Sequence, residues 1–425
     1  MIKELRASGE KFVLVDAGDS IFGSLPSRRN PYGLRQTIEK AKVIIEAYNY
    51  MGYQALAVGD IELGIGLKTL KELEKRMKFP LLCANLTDSE TGKPIFKTST
   101  IVKLGNLKIG IFAVIMNTLN PNFLKRVAPQ AKLEDCVKWA VKEAAALRPK
   151  VDLVLGLFHA NRSEILSALK ASNDIDVVVG PLCRKGNHQM WIGKGEYLTW
   201  MEGRAVLTVD GQGSRLGKFD IALGPKGLPF VPWDSFQAAY EKREGGKKLS
   251  PHEEKLLSEA AIHHLGAMEV IPIFPHYAEA PEVKALVDRF RRSTRFQPVS
   301  FEIEAKRAKA KYLTVEVCKK CHQENYRKWL NTRHASAYKT LERSGDNYRY
   351  DCLPCHTLGY GEAYLSAQKV GPYRGVQCEN CHGTNPKHPE DPETFRFKQI
   401  SDLSCLTCHN PKHLGEPFDF QKMVH

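Results

Sequence analysis

Four copies of the pentapeptide Cys-x-x-Cys-His stand in the last quarter of this chain. They are Cys318-Lys-Lys-Cys321-His322, Cys352-Leu-Pro-Cys355-His356, Cys378-Glu-Asn-Cys381-His382 and Cys405-Leu-Thr-Cys408-His409. Each has the make-up of a c-type haem attachment site, in which two thiols form thioethers to the vinyl groups and the adjacent His ligates iron from one face. The spacing is mechanical: two intervening residues let both sulfurs reach one macrocycle while the imidazole points at its centre. A zinc ribbon pairs Cys-x-x-Cys without needing a His after each pair, and a redox dithiol would occur once. Four full repeats imply four covalently bound haem c groups.

The opposite faces of those irons need ligands too. Outside the motifs, residues 312–425 hold four more histidines, His334, His388, His413 and His425, and no methionine but Met423. Equal numbers of proximal and spare imidazoles favour bis-His iron of low potential, suited to electron transfer. His334 follows Trp329 in a predicted helix, a good platform for a distal ligand. His388 lies too close in sequence to His382 to reach round its own haem, so it is expected to serve a neighbour. His413, four residues after His409 with Pro411 between, serves another haem or lies on the surface. His425, the final residue, becomes a ligand if the tail folds back. The remaining cysteines, Cys83, Cys136 and Cys183, are expected to be buried, inert thiols.

The elements that must carry these groups change along the chain. Residues 1–224 alternate strand patterns with an amphipathic helix: Phe12–Asp16, Ala55–Val58, Leu107–Ile115, Val151–Phe158, Ile175–Val179 and Ala205–Val209 read as strands, and Leu34 to Tyr50 as a helix. That alternation predicts an α/β domain with buried sheets. Residues 225–311 read as a polar, helical linker. In it, Ser250-Pro251-His-Glu253 forms a capping box, Gly266 reads as a helix stop and Pro281 opens a helix. Residues 312–425 are loop-rich and poor in aliphatic side chains. A small domain of this kind needs a staple, and covalent macrocycles would supply both apolar area and cross-links.

Charge adds one modest point. The chain is +14 by sequence, and eight propionates on four haems would offset roughly half of that. The run Lys306-Arg307-Ala-Lys309-Ala-Lys311 could meet propionates or an acidic redox partner, or act as a solvated linker. No nucleic-acid partner is expected. No run of 18 apolar residues exists to span a membrane. Haem c is attached outside the cytoplasm, so a periplasmic or cell-surface location is expected. The start Met1-Ile-Lys-Glu-Leu-Arg carries no signal peptide, which implies an incomplete N-terminus.

Two family resemblances follow from these motifs. Tyr312-Leu-x-x-Glu-x-Cys-x-x-Cys-His, Trp329-x-x-x-x-His334-Ala and Gly375-Val-Gln-Cys-Glu-Asn-Cys-His-Gly383, with His388 beyond, resemble the tetrahaem cytochrome c family that includes the electron acceptor of hydroxylamine oxidoreductase. That resemblance implies a compact haem cluster passing single electrons between partner proteins, with His334 and His388 as axial ligands.

The first part, over 11–222, resembles calcineurin-like metallophosphatases of the 5′-nucleotidase branch. The matching segments are Val13-Leu-Val-Asp16-Ala-Gly-Asp19-Ser, Ala57-Val-Gly59-Asp60-Ile61-Glu62, Pro80-Leu-Leu-Cys-Ala-Asn-Leu86, Val151-Asp-Leu-Val-Leu-Gly-Leu-Phe-His159 and Ile175-Asp-Val-Val-Val-Gly180. It implies a four-layer α/β sandwich, two sheets face to face with helices outside. Such enzymes hydrolyse phosphate esters with two metals, but the ligand inventory is short. The opening Asp-x-His should precede residue 10, Ile61 replaces the catalytic His, and Leu182 and Arg184 replace the last two. Asp19, Asp60 and His159 remain as a vestigial site, so a divalent metal in this domain is not expected.

The sequence therefore points to an extracytoplasmic multihaem cytochrome on a degenerate metallophosphatase-like domain. A live phosphoesterase with a cytochrome tail and a haem-based reductase are the rivals. Four haems should survive acid extraction and appear in the intact mass as roughly 2.5 kDa over the apoprotein. Zinc at these cysteines in protein matured with intact haem-attachment machinery would refute this.

Overall fold

The computed structural model describes residues 1–22, 31–180, 197–209, 215–224, 230–260, 264–273, 277–295, 312–397 and 399–409. The chain forms two compact units, one of Met1–Leu25 and Ala41–Val283, the other of Pro26–Lys40 and Lys284–His425.

The first unit opens with α1 (Ile2–Ala7), β1 (Val15–Asp16) and the part of α2 (Pro31–Met51) after Lys40. It continues through β2 (Ala55–Ala57), α3 (Asp60–Gly64), α4 (Leu67–Glu74), β3 (Leu81–Leu82), β4 (Leu86–Asp88), β5 (Ser99–Leu104) and β6 (Leu107–Ile115). Then come α5 (Pro121–Val127), β7 (Ala131–Leu133), α6 (Cys136–Leu147), β8 (Leu153–His159), α7 (Arg162–Ala171), β9 (Val177–Val179), β10 (Leu198–Met201) and β11 (Arg204–Leu207). A six-stranded sheet has the order β10-β11-β9-β8-β6-β5, parallel from β6 to β11 and antiparallel at both edges. A smaller parallel sheet has the order β1-β2-β3.

The two sheets meet face to face. Ala55, Ala57 and Leu82 of the small sheet share one core with Ile111, Ala113, Leu155, Leu157, Val177 and Ala205 of the large one. The other face of the large sheet, through Phe112, Val114, Val154 and Phe158, is covered by α6 and α7 with Ala140, Ala144, Ile165 and Ala168. Alternation along the strands produces both faces at once, because successive side chains point opposite ways. Ala41 and Ile45 of α2 and Leu70 and Leu73 of α4 are buried as well. The result is the α/β sandwich that the sequence implied. Asn85 fastens it internally: its amide donates to the carbonyls of Ile115 and Glu134 and accepts from the Ile115 N–H. Cys83 and Cys136 are buried thiols, both pushed up to about 12 chiefly by burial. Cys183 lies outside the described residues.

Differences from the sequence reading are informative. β1 is shorter than Phe12–Asp16, whereas β6 matches its predicted span. The stretch 225–311 is not wholly helical. It holds α8 (Trp233–Glu244), α9 (Pro251–Ala260) and α10 (Pro281–Arg295), but also β13 (Phe230–Pro232) and β14 (His264–Pro272). These strands pair with β12 (Arg215–Ala222) in the order β12-β14-β13. Gly266 is therefore a strand residue rather than a helix stop. The cause is tertiary: Leu265–Pro272 pairs residue by residue with Arg215–Ala222 of β12, and local propensity does not register so distant a pairing. The capping box does form, with the Glu253 carboxylate accepting from Ser250 N–H and the Ser250 hydroxyl from Glu253 N–H.

The second unit carries the four motifs on short helices, Thr314–Cys318, Leu353–His356, Cys378–His382 and Asp402–Leu406, joined by turns and by the helices Gln323–Leu330 and Ala337–Ser344. Its aromatic core gathers Tyr32, Tyr338, Leu341, Tyr348, Tyr350, Leu353, Tyr364, Leu365 and Val370.

Candidate metal centre and haem-attachment cluster

In the first unit, three ligand-type residues converge from strand ends, where open α/β sheets bind ligands. Asp19 follows β1, Asp60 follows β2 and His159 closes β8. Their ligand atoms all lie within 4.8 Å of one another. His159 Nε2 is 3.1 Å from Asp60 Oδ1 and 3.5 Å from Asp19 Oδ2, and Nδ1 faces the Ala17 carbonyl at 3.2 Å. That carbonyl can only accept, so Nδ1 carries a proton, and Nε2 is the nitrogen turned toward the two carboxylates.

Backbone geometry makes the cluster possible. Gly18 has φ +98°, and a Cβ there would sit 2.9 Å from the Gly59 nitrogen, so the two loops touch main chain to main chain. Asp19 itself is left-handed at φ +60°. Glu62 pins both loops. One carboxylate oxygen accepts from Asp19 N–H (2.7 Å) and Gly59 N–H (3.1 Å), the other from Ser20 N–H (2.9 Å) and Ile21 N–H (3.0 Å). Asp19 in turn accepts from Ile61 N–H at 3.0 Å. The sequence motif contained Glu62, but only the fold reveals it as the clasp.

Burial disfavours a charged His159, yet the carboxylates of Asp19 and Asp60 outweigh it and push the imidazole up to about 9. Burial also raises Asp19, against the pull of His159 and with the push of Glu62 and Asp60. Asp16, one turn away, is raised to about 6 by burial. One imidazole among these carboxylates leaves the pocket with excess negative charge, and the donor set of two carboxylates and an imidazole fits one cation. Ile61 offers no ligand atom for a second. Leu182 and Arg184 lie outside the described residues.

In the second unit, the motifs are neighbours in a definite order. The first-motif sulfur of Cys318 comes within hydrogen-bond reach of Cys378 in the third, and Cys355 of the second within reach of Cys408 in the fourth. The helices of the third and fourth motifs, Cys378–His382 and Asp402–Leu406, pack against each other. The sites thus run first, third, fourth, second. Glu379, inside the third motif, is buried and accepts from Thr314 N–H at 3.0 Å, while Gln377 accepts from Val315 N–H at 2.7 Å, tying the first and third helices together.

Two imidazole pairs face each other. His334 Nε2 lies 3.5 Å from His409 Nε2, with ring centroids 5.8 Å apart. The rings of His322 and His388 stand 6.1 Å apart and within 15° of parallel. His388 Nδ1 faces the Phe395 carbonyl at 2.8 Å, which turns its Nε2 free for a metal. Two metal–imidazole bonds of about 2 Å each need nitrogens about 4 Å apart, so the His334–His409 separation fits an iron between them. His356 Nδ1 faces the Ala337 carbonyl at 2.8 Å. His382 lies near Phe397, with centroids 6.2 Å apart. His413 and His425 fall outside the described residues.

A remote clasp was invisible in the sequence. Gln36, on α2, donates to the Tyr348 carbonyl (3.3 Å) and accepts from Tyr350 N–H (2.8 Å), immediately before Cys352. Lys40 pairs with Asp351 at 3.2 Å. Neither residue has a spacing signal, because its partner lies some three hundred positions away.

Comparison with known proteins agrees with both halves. Residues 317–383 match the family described as cytochrome c554 and c-prime. Protein UshA of Escherichia coli (strain K12) is 30% identical over 161 residues, 37% of this chain and 27% of UshA. Snake venom 5′-nucleotidase of Naja atra is 29% identical over 188 residues, 42% of this chain and 33% of the relative. The chain thus spans a third or less of these relatives. A sulfate thiohydrolase SoxB from Thermus thermophilus matches at TM-score 0.48 and 13% identity, covering 70% of this chain and 46% of SoxB. A 5′-nucleotidase precursor, also from Thermus thermophilus, matches at TM-score 0.47 and 18% identity, covering 69% of this chain and 51% of the precursor. The chain joins a 5′-nucleotidase-like α/β segment to a segment of cytochrome c554 type.

Gln36→Leu should strand the Tyr348 carbonyl and the Tyr350 N–H in a buried site and cost about 3 kcal/mol of stability. Urea denaturation of the mature chain checks this, with an unchanged midpoint as the contrary result.

Proposed function

We propose that this chain, with its cytochrome c554-type segment behind a nucleotidase-like segment, is an extracytoplasmic multihaem cytochrome that passes single electrons between redox partners. The observation that carries the reading is the pairing of imidazoles. His334 and His409 present Nε2 to Nε2 at 3.5 Å, and the His322 and His388 rings lie 6.1 Å apart, which supports a reading of each pair as two ligands of one iron. When bound, haem supplies a one-electron couple, and bis-His ligation sets it low. The chain's own residues do the rest. The motif cysteines would hold each macrocycle. The Phe395 carbonyl orients the His388 ring, and the contacts of Glu379 and Gln377 fix the first site against the third. The order first, third, fourth, second supplies a continuous route, with partner proteins delivering and collecting electrons at its ends.

The α/β unit is proposed as a scaffold that has lost phosphoester hydrolysis. Two-metal hydrolysis needs ligands that fix both ions and activate water between them. Asp19, Asp60 and His159 suffice for one ion, and Ile61 contributes nothing to a second. The His159 ring is occupied by its ion pairs with both aspartates.

Two measurements test the two halves. His388→Ala should convert one low-spin iron to a high-spin or water-ligated one in the electron paramagnetic resonance spectrum, with four haems still attached; an unchanged spectrum excludes the pairing. The wild type should hydrolyse no nucleotide or phosphodiester above background with manganese, zinc or calcium added. Turnover that is abolished by Asp19→Ala would show a working enzyme instead.

A further inference from the structure

Two acceptors tie the first attachment helix to the third, and one of them is a carboxylate. Gln377 Oε1 accepts from Val315 N–H at 2.7 Å, while its amide donates to the carbonyls of Pro372 (2.8 Å) and Arg374 (3.1 Å). Glu379 Oε2 accepts from Thr314 N–H at 3.0 Å, and its Oε1 is buried with no hydrogen-bond partner among the described residues. The donor side is strained too, because Thr314 is β-branched yet sits in the left-handed region at φ +59°. Glu379 is 4% exposed, and among the described residues of the second unit it is the only buried side chain that is acidic or basic. Burying a charge is costly, and Gln377 next door shows that a neutral amide can make such a tie. A fold that needed only an acceptor here would do better with a second amide.

What the carboxylate adds is its field. A fixed negative charge in a low-dielectric interior disfavours the electron that turns ferric iron ferrous, and so lowers the potential of any haem beside it. We propose that Glu379 sets the direction of electron flow, holding the first and third irons at the low-potential end of the route so that electrons enter there and run on to the second site. The inference rests on the cytochrome reading above and on the order of the four sites. Each transfer moves one electron from iron to iron, with no bond made or broken. Glu379 lies inside the third motif and against the first motif's helix, so its field falls on both. The Cys318 thiol senses it, being pushed up by its hydrogen bond with Cys378, by burial and by the charges of Cys378 and Glu379. Burial raises the Glu379 carboxyl itself, and the backbone dipoles of Thr314 and Leu313 pull it back toward the ionised form. Ahead of the second site the charges cancel instead. There two cations, Lys40 and Arg349, face two carboxylates, Asp346 and Asp351.

The test is a redox titration of the mature full chain at mildly alkaline pH, followed optically and by electron paramagnetic resonance. Glu379→Gln keeps the shape and an acceptor for Thr314 N–H but removes the charge. It should raise two of the four midpoint potentials, each by roughly tenfold in the reduction equilibrium, or about 59 mV for a one-electron couple, and leave the other two in place. Glu316→Gln removes an exposed carboxylate from the same first-motif helix, where water and Lys319 screen it, and should move none. Four unchanged potentials in Glu379→Gln overturn the proposal, as does an equal shift of all four or an equal effect of Glu316→Gln. A second measurement serves if Glu379→Gln fails to mature. His388→Ala marks the first site by its lost low-spin signal, and in the wild type that signal should be one of the two reduced at the lowest potentials. Finding it among the two highest overturns the proposal as well. A haemochrome assay separates the two levels: missing haems in the wild type would sink the cytochrome reading itself, while four intact haems indifferent to Glu379 would sink only the assigned direction.

Discussion

One buried carboxylate holds the first unit's candidate site together. Glu62 accepts four backbone N–H groups from two loops, 19–21 and 59, and these are the loops that present Asp19 and Asp60. A carboxylate so placed is compensated by hydrogen bonds rather than by a cation, which is how a buried charge is tolerated. Without it, four main-chain donors would lie buried and unpaired, and the left-handed turn at Asp19 would have nothing to enforce it. The clasp is separate from the residues that would bind metal, so the loop geometry does not depend on an ion.

The second unit meets the opposite problem. Its motif helices are four or five residues long and its aliphatic residues are few. Helices that short do not persist alone, so their placement depends on contacts beyond the local sequence. Some are visible: Glu379 and Gln377 cap the first motif's helix, and Gln36 grips the chain ahead of the second. On the proposed reading, the remaining constraint is covalent, each macrocycle crossing from a Cys pair to an imidazole on another segment. Packing, ligation and electron route would then be set by the same few residues.

The two halves divide their chemistry cleanly. Acidic residues and a histidine at strand ends suit a hard or borderline cation, whereas the repeated thiol pairs with imidazoles suit haem iron. The tyrosine core packs beside Cys352 of the second attachment site.

By itself the sequence determined what is local or periodic. Cys-x-x-Cys-His is read without a fold because its chemistry depends on spacing within five residues. The apolar run Ile109–Ile115 declares the body of β6 because a strand buried on both faces must be apolar there. Ser250 and Glu253 declare a helix start for the same local reason. Asp19, Asp60 and His159 were legible as ligand types at the ends of predicted strands, although nothing local said that they would meet. Tertiary structure alone decided the rest. It set which histidine faces which motif, made β14 a strand by pairing it with the distant β12, and turned Glu62 and Gln36 into clasps. Each of these depends on partners tens to hundreds of residues away, and contacts at that separation arise from packing and pairing, which leave no spacing for a sequence to show.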